Sequence, residues 1–162
     1  MIQRIQSVLL LIAALVMISV LFLTIWMKAD INQQEVVTLN AFELTYESFT
    51  EEGARTLIMA KDTFYISILA ILASGIAIFS IFQYKNRLRQ IQLGALNSLF
   101  MGSTLGLSYY FSSKGEALIS NGQQGVFQAG FYIIAIALIM NSLANRFIRK
   151  DENLVRSANR IR

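Results

Sequence analysis

The chain has 162 residues, 55% hydrophobic and 15% charged, with a net charge of +4 and no cysteine, histidine or proline. That inventory excludes disulfides, thiol nucleophiles, zinc sites of the Cys/His type, histidine-ligated haem and the His-based triad, and it leaves the helices without proline-built hinges. The charges cluster and leave long apolar runs between them, so residues 1–162 read as a single membrane domain whose basic surplus faces anionic lipid headgroups, with no nucleic acid partner.

Four uncharged segments are long enough to cross a hydrocarbon core of about 30 Å, at about 7–27, 64–83, 91–111 and 126–145. The first follows a short basic lead, MIQR, with Arg4. It reads as an uncleaved anchor rather than a signal peptide, because the apolar run exceeds the usual h-region and TIWMKADIN offers no small-x-small cleavage site.

The extracytoplasmic loop, 28–63, turns acidic. In AFELTYES, Phe42, Leu44 and Tyr46 alternate with Glu43, Thr45 and Glu47, the period of a strand with one apolar face, and the preceding VVTL supplies a partner for a β-hairpin. Ser48 or Thr50 then reads as a helix cap before EEGARTLIMAKDTFY, with Glu51 three residues after Ser48, so the second span is expected to begin as a helix above the membrane. The carboxylates Glu43, Glu47, Glu51 and Glu52 follow no calcium-loop pattern and are read as a solvated acidic face.

The second span carries a stripe of small residues, Ser67, Ala70, Ser74 and Ala77. The link Tyr84 to Gln90, with Lys85, Arg87 and Arg89, makes spans two and three an antiparallel hairpin. Span three repeats Gly94, Ser98, Gly102 and Gly106 at every fourth position, a spacing that lets helix backbones approach closely. The linker Ser112 to Gly125 reads as a solvated turn, with GEALIS starting span four early. Asn97 and Asn141 both fall in the cytoplasmic half of their spans and are expected to meet across helices as polar glue.

The tail, 146–162, supplies Arg146, Arg149, Lys150, Arg156 and Arg160, and on a helix it sets Leu154, Val155, Ala158 and Ile161 to one side, an amphipathic cytoplasmic extension. Ten of the fourteen basic residues lie at the amino terminus, in the link 84–90 and in the tail, while eight carboxylates lie on the opposite side. The positive-inside rule makes both termini cytoplasmic. Trp26, Tyr65, Tyr84, Tyr109, Tyr110 and Phe147 fall at or near span ends, where amphipathic rings favour headgroup depth.

The expected fold is therefore an all-α bundle of four transmembrane helices, with a short hairpin-bearing outer loop and an amphipathic cytoplasmic helix. No span carries an ionisable group of the kind that ion-coupled transporters place at membrane depth, and no nucleophile and base are identifiable. The expectation is a noncatalytic scaffold or accessory subunit without cofactor or metal, bound to a membrane protein or to itself. The alternative is a small transporter or channel for a neutral or lipidic molecule, lined by Asn97, Gln128 and Asn141. An enzyme acting on lipid through the outer carboxylates ranks behind both.

The opening MIQRIQSVLLLIAAL, the central YKNRLRQIQL and the closing IRKDENLVRSANRIR together resemble an uncharacterised four-helix inner-membrane protein family of Bacteroidetes bacteria. The resemblance spans essentially the whole chain and is most specific at its ends. It implies a bacterial plasma-membrane location and a four-span fold, and it brings no established activity and no catalytic residues.

Overall fold

Residues 26–62 are rich in β-branched, aromatic and alternating side chains, and most of the segment is sheet. A computed structural model describes residues 2–30, 34–49, 54–84, 86–119 and 122–160 of the chain. Helix α1 (Ile2–Ser19) ends in a 3-10 turn (Val20–Phe22) and leads into strands β1 (Trp26–Asp30), β2 (Glu35–Leu39), β3 (Glu43–Phe49) and β4 (Arg55–Asp62). Helices α2 (Phe64–Phe82) and α3 (Arg87–Glu116) follow, then the short strand β5 (Val126–Phe127) and α4 (Ala129–Arg160). The five strands form one antiparallel sheet in the order β4-β3-β2-β1-β5.

This corrects the all-α expectation: the protein is mixed α and β. The hairpin of β2 and β3 pairs Leu39 with Leu44, and its turn is closed by Asn40 N–H donating to Glu43 O at 2.9 Å. Where a capped helix is expected before the second span, RTLIMAKD is strand β4, and α2 starts only at Phe64. Of the capping residues, Ser48 lies in β3, while Thr50, Glu51 and Glu52 lie outside the described residues. Val126 and Phe127 pair with Met27 and Trp26 rather than opening the fourth helix. GEALIS starts no helix either, because α3 itself runs on through Gly115 to Glu116.

The helices form a ring in which α1 packs on α2 and α4, and α3 on α2 and α4. Their polarity is inverted relative to a water-soluble bundle. On α3 the buried positions include Gln90, Gly94, Asn97, Thr104, Ser108 and Ser112, while Leu96, Leu99, Tyr109 and Tyr110 face outward. The hydroxyls inside are satisfied by their own helix: Thr104 donates to Phe100 O, Ser108 to Thr104 O and Ser112 to Tyr109 O. On α2 alanines and serines point in, and Ile68, Ile71, Leu72 and Phe79 point out. So much exposed apolar surface is a liability in water and ordinary in lipid.

Among the described residues three helical stretches are long and apolar enough to cross a membrane: Ile5–Phe22, Phe64–Phe82 and Ala129–Val155. Helix α3 is more polar. At 30 residues it is about 45 Å long, and its last turns rise beside the sheet, where Leu44 packs near Gly115. The sheet thus rests its inner side, Trp26, Lys28, Val37, Leu39 and Leu44, on the bundle end and on the extension of α3.

Candidate functional site

Strand alternation places Trp26, Lys28 and Asp30 of β1 inward and Met27 and Ala29 outward. An ammonium at such a position needs partners for all three donors, and Lys28 has them. Nζ donates to Glu116 Oε1 at 2.7 Å, to Ile119 O at 2.8 Å and to Glu116 O at 3.2 Å. The other carboxylate oxygen, Oε2, accepts from Gly125 N–H at 2.9 Å. Burial alone would raise the Glu116 pKa, but the Lys28 and Gly125 hydrogen bonds, with the lysine's charge, outweigh it and hold the carboxyl below its usual range. One acidic side chain therefore joins strand β1, the end of α3 and the segment before β5.

Trp26 fills the space beside this pair at 2% exposure, so it does not face lipid headgroups as its place at a span end suggests. The indole lies against two glycines: a methyl added at Gly115 would stand 2.7 Å from Cζ3, and one at Gly125 would overlap the ring. At the same end Gly130 donates its N–H to Thr24 O at 2.9 Å, an approach a side chain would block.

A cleft of about 390 Å³ opens here, lined by Trp26, Tyr109, Ser112, Glu116, Gln124 and Phe127 among others. Both Glu116 oxygens are engaged, and the Ser112 hydroxyl donates to Tyr109 O of its own helix, so among the described residues Glu116 is not a free base and Ser112 is not an activated nucleophile.

The carboxylates of the sheet do not gather. Glu43 and Glu47 sit four residues apart on β3, about 13 Å at the rise of a strand, and Glu47 instead lies 4.0 Å from Arg55. Glu51 and Glu52 are outside the described residues. Among the described residues no group of three or more acidic side chains is placed to hold a metal ion. Glu35 has a different role: its carboxylate accepts from the Tyr46 hydroxyl of the neighbouring strand, which raises the tyrosine pKa, with burial and the negative charge adding to the shift.

The far edge of the sheet is open. Every residue of β4 is exposed, on both faces, and the centre of the strand is Leu57, Ile58 and Met59. Pairing with β3 is irregular at that centre, since Tyr46 lies opposite Met59 and Glu47 opposite Leu57, leaving Ile58 as an extra residue.

At the other end of the bundle the two asparagines meet. Asn97 Nδ2 donates to Asn141 Oδ1 at 3.1 Å, and Asn141 Nδ2 donates to Gly94 O and Ser98 Oγ, each at 2.8 Å. Both amides are fully buried. Gln128 is not with them: it lies at the β5–α4 junction, thirteen residues or about 20 Å along the chain from Asn141, where its N–H bonds Ile25 O.

The small-residue stripes divide. On α2, Ser67, Ala70, Ser74 and Ala77 are all buried. On α3, Gly94 lies against Asn145 and Ser98 is half-buried, but Gly102 and Gly106 are exposed, and a methyl added at either would meet no atom within 4 Å. The reason is geometric. A strict period of four advances about 40° around a helix at each step, so the row leaves the interface, while the buried series Gln90, Gly94, Asn97, Met101, Thr104 and Ser108 alternates steps of four and three and stays on it.

The basic residues at the end of the bundle away from the sheet are spread over three settings. Arg87 Nε lies 3.1 Å from Asp151 Oδ2 and ties the start of α3 to the extension of α4. Arg89 lines a groove of about 340 Å³ with Phe79 and Gln83. Arg146 and Arg149 line a cleft of about 420 Å³ between α3 and α4, and Lys150 is exposed. Lys85 and Arg162 lie outside the described residues, as do the side chains of Arg4, Arg156 and Arg160. In the tail, Leu154 and Val155 are exposed; the Ala158 side chain and Ile161 lie outside the described residues.

Sequence reasoning missed Lys28, Glu116, Gly115, Gly125 and the Arg87–Asp151 pair. The lone available signal was a lysine just beyond the first span facing a glutamate in the third loop, too sparse to pair the two. A comparison with curated proteins found no match. A family model covers residues 2–161, and the chain belongs to that family, described as a domain of unknown function, DUF4293.

Proposed function

We propose that the protein is a noncatalytic four-span subunit of the bacterial inner membrane, with both termini cytoplasmic, that offers its extracytoplasmic sheet to a partner protein. A fourth span at α3 is supported by its position between α2 and α4 and by its lipid-like outward side chains. The orientation is supported by the side-to-side imbalance of basic residues. The cysteine-free background suits single-cysteine labelling: Lys114→Cys should react with an impermeant maleimide in intact cells and Ser157→Cys only after lysis, and the reverse pattern would overturn the topology.

The observation that carries the partner reading is β4. An eight-residue edge strand with both faces exposed and three apolar residues at its centre is a template for an added strand. The occupant proposed is an extended segment of another envelope protein, apolar at its centre to cover Leu57, Ile58 and Met59, and acidic at its flanks opposite Arg55 and Lys61. A photo-crosslinking residue at Ile58 in the full chain, in native membranes, should give one discrete adduct that Leu57→Lys abolishes while Trp26 emission stays unchanged. Equal adducts from Ile58 and from Met27 on the other side of the sheet, or none from Ile58, would sink the reading.

A further inference from the structure

The cleft of about 390 Å³ beside Trp26 has one charged side chain in its lining, Glu116. That side chain is 36% exposed, so it is accessible from solvent. A carboxylate has about four lone-pair sites, and Lys28 and Gly125 occupy one on each oxygen. The capacity left over belongs to an anion, because these two bonds keep the carboxyl ionised at neutral pH. The lysine that balances the charge does not line the opening: it is 4% exposed, and its three donors are spent on Glu116 and Ile119. Among the described residues no lysine or arginine lines the cleft, and Lys114 sits over the Tyr110 ring instead, 5.6 Å from its centroid. The facing wall is aromatic. Tyr109 is exposed and Phe127 half-buried, with ring centroids 6.3 Å apart and planes 19° from parallel. A carboxylate beside aromatic faces, which attract cations through their quadrupoles, selects a cation and disfavours a phosphate.

We infer that this cleft binds a primary ammonium group, of the kind carried by an ethanolamine headgroup or a free alkylamine. An N–H of the ammonium donates to Glu116 at a lone-pair site that Lys28 and Gly125 leave open, and its charge rests against the rings of Tyr109 and Phe127. A quaternary ammonium keeps the aromatic contact and loses the hydrogen bond. The source of the amine rests on the four-span reading, which sets this end of α3 at the headgroups of the extracytoplasmic leaflet and so makes phosphatidylethanolamine the nearest supply. The maleimide labelling tests that reading separately.

The test is native mass spectrometry of the purified full chain titrated with phosphatidylethanolamine or phosphatidylcholine, which share a phosphate and differ at the ammonium. The first should bind about tenfold more tightly than the second, the worth of one hydrogen bond to a charged group. Glu116→Gln should remove that preference. Because Glu116 also seats the sheet, Tyr109→Leu, at an exposed ring, supplies a second variant that leaves the Lys28 pair intact; it should weaken both lipids about two- to fivefold. Equal affinity for the two lipids in the native chain would overturn the ammonium assignment. Undiminished binding in Tyr109→Leu, or a full preference in Glu116→Gln, would overturn the cleft as the place of binding. Displacement of phosphatidylethanolamine by millimolar ethanolamine would support the site with a soluble amine as its ligand, and resistance to it would support the site with the lipid. An inverted labelling pattern would overturn the leaflet source and leave the ammonium site standing.

Discussion

Replacing Lys28 with methionine keeps the apolar stem and deletes the ammonium, which isolates what the charge does. Three hydrogen bonds disappear, at 2.7, 2.8 and 3.2 Å, and Ile119 O and two Glu116 oxygens, Oε1 and the main-chain O, lose this donor. Removing one member of a buried ion pair costs about 3–5 kcal/mol. The Lys28 side chain is 4% exposed but Glu116 is 36% exposed, so water can reach the abandoned carboxylate and the loss should fall near 2–3 kcal/mol. Glu116→Gln keeps an acceptor for Lys28 and should cost less. In the double variant the two losses should overlap, leaving a coupling of about 1–2 kcal/mol. The single tryptophan, packed beside the pair, provides the readout: urea titration in detergent followed by Trp26 emission, with a red shift in K28M marking a sheet loosened from α3. A loss below about 1 kcal/mol with unshifted emission, or strictly additive single effects, would show that the sheet is held by apolar contact alone.

Three other outcomes follow from the same contacts. Because Glu116 has its pKa lowered in the folded chain, its contribution is present above the ordinary carboxylate value of 4.5 and is lost as pH falls from there through the lowered folded value; Glu116→Gln should flatten that part of an acid titration of Trp26 emission, and an unchanged profile would contradict the assignment. Gly94→Ala sets a methyl 2.5 Å from Asn145 Oδ1 and should destabilise by about 1–3 kcal/mol, whereas Gly102→Ala meets nothing within 4 Å and should gain up to about 1 kcal/mol of helix propensity; thermal unfolding in detergent that ranks them the other way would restore the every-fourth-residue stripe. Asn141→Leu removes the acceptor for Asn97 and the donor for Gly94 O and Ser98 and should cost about 1–2 kcal/mol, more than Asn97→Leu, whose Oδ1 is already unpartnered; equal losses would mean the second and third bonds contribute nothing.

Helix positions were legible because apolar runs such as LLLIAALVMI are long and uncharged, and that signal does not depend on which face is inside. Which face is inside was harder to read. In a bundle whose exterior is apolar, buried positions are the small and polar ones, so α3 had to be read from the alternation of three- and four-residue steps through Gln90, Gly94, Asn97 and Met101. The even spacing of the glycines drew attention to Gly102 and Gly106 instead. Asn97 and Asn141 were easier, since amides in apolar helices have few partners other than each other.

The sheet was only half legible, and the reason lies in how its strands are solvated. Strand β3 alternates Leu44 and Tyr46 with Glu43 and Glu47 because one side rests on the protein, so the period of two survives in the sequence. Strand β4 rests on nothing: all eight residues are exposed, no side is selected for burial, and RTLIMAKD carries no alternation to betray a strand. Strand β1 fails for the opposite cause. Its inward positions are Trp26, Lys28 and Asp30, two of them charged, and Lys28 is acceptable there only because Glu116, 88 residues away in sequence, reaches across to meet it. A charge whose partner is brought by the fold cannot be told, in one dimension, from a charge facing water. Two of the elements that sequence reasoning misread thus depend on something beyond their own stretch of chain, β1 on the end of α3 and β4 on the partner strand proposed to cover it.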